Sequence, residues 1–478
     1  MRERALDEAP APFSAPPEPV PEPEPAHLVS PQVTPRTLQL AAMSPARAAL
    51  ELAWPGIIEQ LIRASGQPIA FAMVGRFGAV ATAAVGASGQ FLFLLFPVWG
   101  ALSTGTVALI ARRMGEGRSG AAADAARQSL VLAAILGVLS GGAFVLLARP
   151  LLALIGADSD VIDTAAPYLG VIGGLNVFQT VSIIGLNAMR AAGDTRTPMF
   201  VTLAGSILAV GLTYALVFPA GYGVIGAAYA QVLASVAFAG VTLGLLWRGR
   251  ADLRLAGGGW AIRGETVRSL MSVSLPSVAE TLLFSVGILA LGGIVFRFGT
   301  DAFAAHQIVS SVEALSFLPC VGFSAAASAL VGQSLGMRQP QRAMSVGWAA
   351  TRMAAFWTSA MGLAFALVPA FFIGLFTSSS DVVASGIGAM IVIGVAQPFQ
   401  AIIFTIGGAL RGAGDTRYTL ALTIFNWFVV RFPLAVILGI VLGWGLTGVW
   451  IAVAIDYAIR AGLMARRFHG GAWQRRRI

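Results

Sequence analysis

The sequence predicts an all-α membrane protein, twelve transmembrane helices arranged as two six-helix parallel repeats. Three observations predict it. The 478 residues are 57% hydrophobic and only 11% charged, with a mean hydropathy of +0.79, whereas a soluble domain carries roughly 25% charged residues. Apolar runs of about 20 residues, long enough to cross a bilayer as a helix, recur along the chain. A charged turn is also written twice, RAAGDTRTPM at 190–199 and RGAGDTRYTL at 411–420.

The elements follow in order. Residues 1–48 contain PAPFSAPPEPVPEPEPAHLVSPQ, Pro-dense, acidic and short of apolar side chains, and read as a disordered cytoplasmic tail. The tail lacks the basic start and early apolar run of a cleaved signal peptide, so the first apolar segment, from about Leu52, is expected to act as its own insertion signal. An N-lobe, 49–246, holds segments near 51–74, 83–111, 126–148, 164–188, 198–218 and 223–246. An Arg-rich cytoplasmic connector, 247–270, leads to a C-lobe, 271–467. Its segments lie near 272–296, 303–333, 346–374, 384–410, 418–441 and 445–465, and a basic C-terminus, 468–478, ends the chain.

Arginine sets the expected orientation, because cytoplasmic loops carry the excess of positive charge. The loops after even-numbered segments hold Arg112, Arg113 and Arg118; Arg190 and Arg196; Arg248, Arg250, Arg254, Arg263 and Arg268; Arg338 and Arg342; Arg411 and Arg417; and Arg466, Arg467 and 475–477. The opposite turns hold only Arg76, Arg149 and Arg297, beside Asp158, Asp160, Asp301 and Asp381. Both termini are thus expected in the cytoplasm, with the chain multi-pass in a plasma membrane (a bacterial inner membrane).

Composition excludes several classes. The net charge of +9 lies in short turns rather than in basic patches interleaved with aromatics, so no nucleic-acid partner is expected. All 31 basic residues are Arg. The lone Cys320 forms no internal disulfide, and with His27, His306 and His469 it shows no metal-type spacing, so no metal is expected. No HExxH, GxSxG or phosphate-binding loop is present, and the chain reads as no enzyme.

The internal repeat is the strongest signal. Arg190 and Arg411, and likewise Asp194 and Asp415, are 221 residues apart. The same offset aligns Pro55-x-x-x-Glu59 with Pro276-x-x-x-Glu280, Arg76-Phe77-Gly78 with Arg297-Phe298-Gly299, and 108–115 with 329–336. At an offset of 222, GYGVIGAAYA (221–230) matches GWGLTGVWIA (443–452). Six spans per half put both halves the same way up, the parallel-repeat design of transporters that rock two lobes around a central site. In the repeated turn, Arg190 and Arg411 sit at helix C-termini. Gly193 and Gly414 suit a left-handed stop, and Asp194 and Asp415 with the following Thr suit the next helix cap, with Pro198 in its first turn. The turns read as structural.

A carboxyl at bilayer depth is costly and marks a functional site by default. Glu59, Glu280, Glu313 and Asp456 are the candidates for cation coupling or substrate contact. Glu59 with Arg63, and Asp456 with Arg460, are spaced to pair within one helix; Arg431 is a further buried cation, and His306 reads as a packing element. Glu280 and Glu313 have no cation one turn away.

The paired R-x-x-G-D-T turns, AMVGRFG (72–78), FGTDAFAAHQI (298–308), LVGQSLG (330–336), VRFPLAV in segment eleven, and the closing GVWIAVAIDYAIR with FHGGAW resemble the multidrug and toxic compound extrusion (MATE) transporters over roughly 50–470. The resemblance implies a V of two six-helix lobes around a cavity. It also implies export of organic compounds in exchange for H⁺ or Na⁺, with no cofactor beyond that coupling ion. Many members carry a Glu in the part of the seventh helix where Glu280 lies. Many bacterial members carry an Asp in the first helix, where alignment on Met73-Val74-Gly75 places Ala70. Coupling is therefore expected in the C-lobe through Glu280 and Glu313, with H⁺ favoured over Na⁺. The apolar stretches 89–100 and 313–320 suit a cationic or amphipathic small-molecule substrate, and a working monomer in contact with membrane lipid is expected. A lipid-linked oligosaccharide flippase of the wider superfamily is the alternative, and it lacks strong paired G-D-T turns.

Overall fold

The computed structural model describes residues 34–476 other than Leu94; the side chains of residues 66–68, 70 and 96 also lie outside the described set. The tail expected over 1–48 therefore lies outside it as far as residue 33. From residue 34 onward the expectation of disorder is corrected. Helix α1 (Pro35–Ala42) is capped by Thr34, and Leu40, only 1% exposed, anchors it in an apolar cluster. Ser44 then caps α2 (Pro45–Gly75). A Ser or Thr followed by Pro at the first helical position starts each helix, and local capping outweighs the polar composition upstream.

Helices fill every apolar segment. In the first half, segment one is α2, and segment two is α3 (Ala79–Phe93) followed by α4 (Phe96–Gly115). Segment three is α5 (Ser119–Leu154), and segment four splits into α6 (Ser159–Gly174) and α7 (Asn176–Ala191), bent by 43°. The helices α8 (Arg196–Val217) and α9 (Gly223–Trp247) complete the half. The connector is shorter than expected, since the second half opens with α10 (Gly264–Phe296). Next come α11 (Thr300–Gly336) and α12 (Pro340–Leu367), then α13 (Pro369–Gly374), which starts where a proline interrupts the α-helical ladder. After α14 (Ser380–Gly412), α15 (Thr416–Phe425) runs on through α16 (Phe432–Leu434), flanked by π-helical turns at Asn426–Arg431 and Ala435–Val441, and α17 (Gly445–His469) ends the bundle.

Among the described residues nine helices are long and apolar enough to cross a membrane, ten with the bent α6–α7 pair. The remaining two segments are α2 and α12, of 31 and 28 residues, which carry more polar side chains. Side chains such as Leu146 and Leu154 of α5 and Phe356 of α12 are 79–82% exposed, as lipid-facing residues would be.

The repeat is written into the backbone as well. Glycines with left-handed φ occur in matched pairs: Gly78 and Gly299 at 99°, Gly193 and Gly414 at 94° and 82°, Gly221 and Gly443 at 71°. The halves meet where α2 and α4 pack on α10 and α11. At one end, the end holding the Arg-rich loops, the repeat partners Gly115 and Gly336 face each other across this joint. A Cβ on Gly115 would stand 2.0 Å from the Gln333 carbonyl oxygen, and one on Gly336 would stand 2.2 Å from that of Arg112. Only glycine permits that approach.

Candidate functional site

Each half builds one charged cluster from the same three repeat positions. In the first half Glu59 of α2, 2% exposed, accepts from Arg63 one turn on (3.0 Å), from Arg190 of α7, and from Thr202 of α8 at 3.1 Å. In the second half Glu280 of α10 takes Thr419 at 2.8 Å and Thr423 at 3.5 Å, both on α15. Arg460 of α17 lies 3.4 Å from its carboxylate and Arg411 of α14 lies 3.7 Å away. Glu59/Glu280, Arg190/Arg411 and Thr202/Thr423 are each 221 apart.

Two sequence expectations change here. Asp456 and Arg460 do not pair within their helix. Asp456 pairs with Arg431, brought in by segment eleven, while Arg460 turns to Glu280 and to Thr423 at 2.6 Å. Both acids are buried, and each takes the cation whose helix packs beside it. Arg190 and Arg411 also do more than complement helix ends, since their guanidinium groups reach inward to the glutamates.

The rest of the turn divides unevenly. Asp194 accepts from the Thr197 amide (3.0 Å) and hydroxyl (2.7 Å), capping α8. Asp415 makes no such cap; its fully buried carboxylate holds Arg467 at 2.9 Å and Arg476 at 3.1 Å. The following threonines do not cap either, as the buried hydroxyls of Thr195 and Thr416 have no hydrogen-bond partner among the described residues. Gly193 and Gly414 take the left-handed turn.

Glu313 sits apart, in the interior of the second half. It is buried in α11 and accepts from the Gln400 amide of α14 at 2.7 Å and from the Tyr457 hydroxyl of α17 at 3.0 Å, both neutral donors. Arg431 lies over the Tyr457 ring at 5.2 Å and the Trp427 ring at 4.2 Å, which links Asp456 to this network. Among the described residues the buried oxygens Gln400 Oε1, Asn426 Oδ1 and Asp456 Oδ1 have no hydrogen-bond partner. His306 is buried against Trp450, ring centroids 5.4 Å apart.

Gln400, Tyr457 and the three threonines escaped the sequence reading. Uncharged polar residues in an apolar run carry no local mark, although the 221 spacing of Thr202 and Thr423 was present to be found. The repeat partners of Glu313 and Gln400 are Leu92 and Gln179, so the first half has no matching interior carboxyl. The Ala70 side chain lies outside the described residues. In the expected substrate-lining stretches, Phe317 stacks on Phe404 at 5.1 Å while Leu315 is exposed.

Comparison with known proteins agrees with this architecture. The MatE family model matches residues 55–215 and 276–437, two stretches that begin 221 residues apart. The probable multidrug resistance protein NorM of Thermotoga maritima is 30% identical over 437 residues, covering 90% of this chain and 93% of the relative. The uncharacterized transporter YisQ of Bacillus subtilis is 24% identical over 430 residues, 88% of this chain and 94% of that one. Among solved structures, a MOP superfamily transporter from Pyrococcus furiosus superposes with a TM-score of 0.84 at 23% identity, covering 92% of this chain and 99% of its own. With its two six-segment halves, its apolar helices and the doubled family match, the chain belongs to the MatE family and is a multi-pass membrane transporter, not an enzyme.

Proposed function

We propose that this transporter is a secondary active exporter of organic compounds, cationic or amphipathic, driven by proton antiport through alternating access of its two lobes. The multidrug-resistance name of the Thermotoga relative supports the substrate class. The Arg-rich end faces the cytoplasm of a bacterial inner membrane, with both termini on that side, and the protein works as a monomer whose coupling ion is its one inorganic partner.

Glu313 carries the reading. Glu59, Glu280 and Asp456 each face at least one guanidinium, so neutralising any of them breaks an ion pair. Glu313 is held by two neutral donors and can gain or lose a proton without breaking an ion pair. Glu280 joins it as the second coupling carboxyl, because Thr419 and Thr423 can retain its neutral form.

The test is substrate-induced proton movement in vesicles holding the purified chain. The wild type is expected to exchange protons for a cationic dye, and Glu313→Gln to lose the exchange while staying folded. Normal exchange by that variant removes Glu313 from the mechanism. Sodium is the second reading, favoured by buried side-chain oxygens of Gln400, Asn426 and Asp456 that have no hydrogen-bond partner among the described residues, the first on the residue that binds Glu313. Transport that follows a sodium gradient at constant pH would select it.

A further inference from the structure

Helix α1 lies across the Arg-rich end and is fastened to both halves. Toward the first half, Arg36 donates through Nε to the Gly193 carbonyl at 3.2 Å and stands 3.4 Å from Glu51 of α2. Leu40 Cδ1 occupies the space beside Gly193, 2.8 Å from where a Cβ would be. Toward the second half, Arg342 in the first turn of α12 donates from Nη2 to the Leu40 carbonyl at 2.6 Å and to the Met43 carbonyl at 3.1 Å. These carbonyls close the C-terminal end of α1, where a helix leaves acceptors unsatisfied and favours positive charge. Leu40 is buried in the apolar cluster that also contains Leu335, Ala343 and Val346 of the second half.

The joint beneath α1 is itself between halves. Gln333 of α11 donates to the Ala191 carbonyl at the end of α7, 2.8 Å away. Gly193 and Arg342 belong to different halves, so α1 cannot keep both anchors once the halves part at this end.

We propose that α1 is a latch: it holds the Arg-rich end shut, and its release from Arg342 or from Gly193 accompanies opening of that end. The proposal rests on the halves moving apart there, as the transport reading requires. It adds a residue pair outside the carboxyl sites, Arg36 and Arg342, that sets how often this end opens. Both anchors use a charged donor on backbone carbonyls, among the stronger hydrogen bonds a protein makes.

The experiment uses a cysteine reporter in the full-length chain reconstituted in liposomes. Ser274 of α10 is buried against α4, where a Cβ on Gly105 would meet its Oγ at 2.2 Å. Ser274→Cys, in a chain whose lone cysteine is removed by Cys320→Ser, reports parting of the halves through its rate of alkylation by a permeant maleimide. Arg342→Ala and Arg36→Ala are each expected to raise that rate roughly tenfold, the factor that corresponds to losing one charged hydrogen bond. Arg342→Lys, which keeps the charge, is expected to fall between. Detergent monodispersity and thermal midpoint identify any variant that has lost its fold. Arg36 is part exposed, so its variant still tests the idea if the Arg342 variant unfolds. Wild-type rates in both variants, with measurable labelling of the reporter chain, overturn the latch. A rise with Arg342→Ala alone would reduce Arg342 to a structural residue of α12 and also overturn it. No labelling in any chain would overturn the parting of the halves, and the latch with it.

Discussion

Arg411 stands 3.7 Å from Glu280, and 221 residues earlier Arg190 is bonded to Glu59. The charged turn thus sends one side chain back into its own half, tying the end of one helix to the middle of another. A turn that terminates two helices also fixes how three helices pack.

The first-half tie is a stability element. Arg190→Ala leaves Glu59 with Arg63 and Thr202, so the expected loss is about 2 kcal/mol, the worth of one charged hydrogen bond. Pairing it with Glu59→Gln should return part of that loss. Thermal unfolding of detergent-purified variants measures both, and an additive double variant would contradict the coupling.

In the second half Glu280→Gln is expected to abolish proton-driven export while the protein remains folded in the membrane. Dye efflux from energised vesicles, with expression and monodispersity as controls, provides the check.

The Arg431–Asp456 pair is more deeply buried, and removing one partner strands the other. Arg431→Leu should cost about 3–5 kcal/mol, whereas replacing both with apolar residues should be far milder. Equal losses in the single and double variants would mean that packing, not charge, dominates there.

The two turn aspartates should differ although their sequences match. Asp194→Ala removes a helix cap and should cost about 1 kcal/mol. Asp415→Ala uncouples two arginines from a buried carboxylate and should cost more, about 3 kcal/mol. A shift in thermal midpoint larger for Asp194 than for Asp415 would reverse this ranking.

Gly115→Val and Gly336→Val place side-chain atoms inside the partner helix's backbone at the Arg-rich end. Either should hold that end apart and raise alkylation of the Ser274→Cys reporter several-fold without touching a carboxyl. Unchanged labelling would show that the joint can yield elsewhere.

Much of this protein was determined by its sequence alone. Hydropathy places ten of the twelve segments outright, α2 and α12 carrying more polar side chains, because the bilayer demands long apolar helices whatever their packing. The 221-residue offset discloses the two halves, and the doubled turn discloses their left-handed glycines, since chain reversal is a local matter. Arginine is different. Its reach exceeds a helical turn, so Arg460 could equally have met Asp456 one turn away; only the packing of α10 and α15 beside α17 gave it to Glu280. Glu313 was visible as a charge in an apolar run, but its neutral donors Gln400 and Tyr457 lie 87 and 144 residues away. The residues preceding the first span looked like tail, because Leu40 finds its burial in a cluster drawn from both halves, among them Leu52 of the first and Leu335 and Val346 of the second. Local physics sets where helices run and turn. Which faces meet, and therefore which charges pair, exists only once the twelve segments are packed.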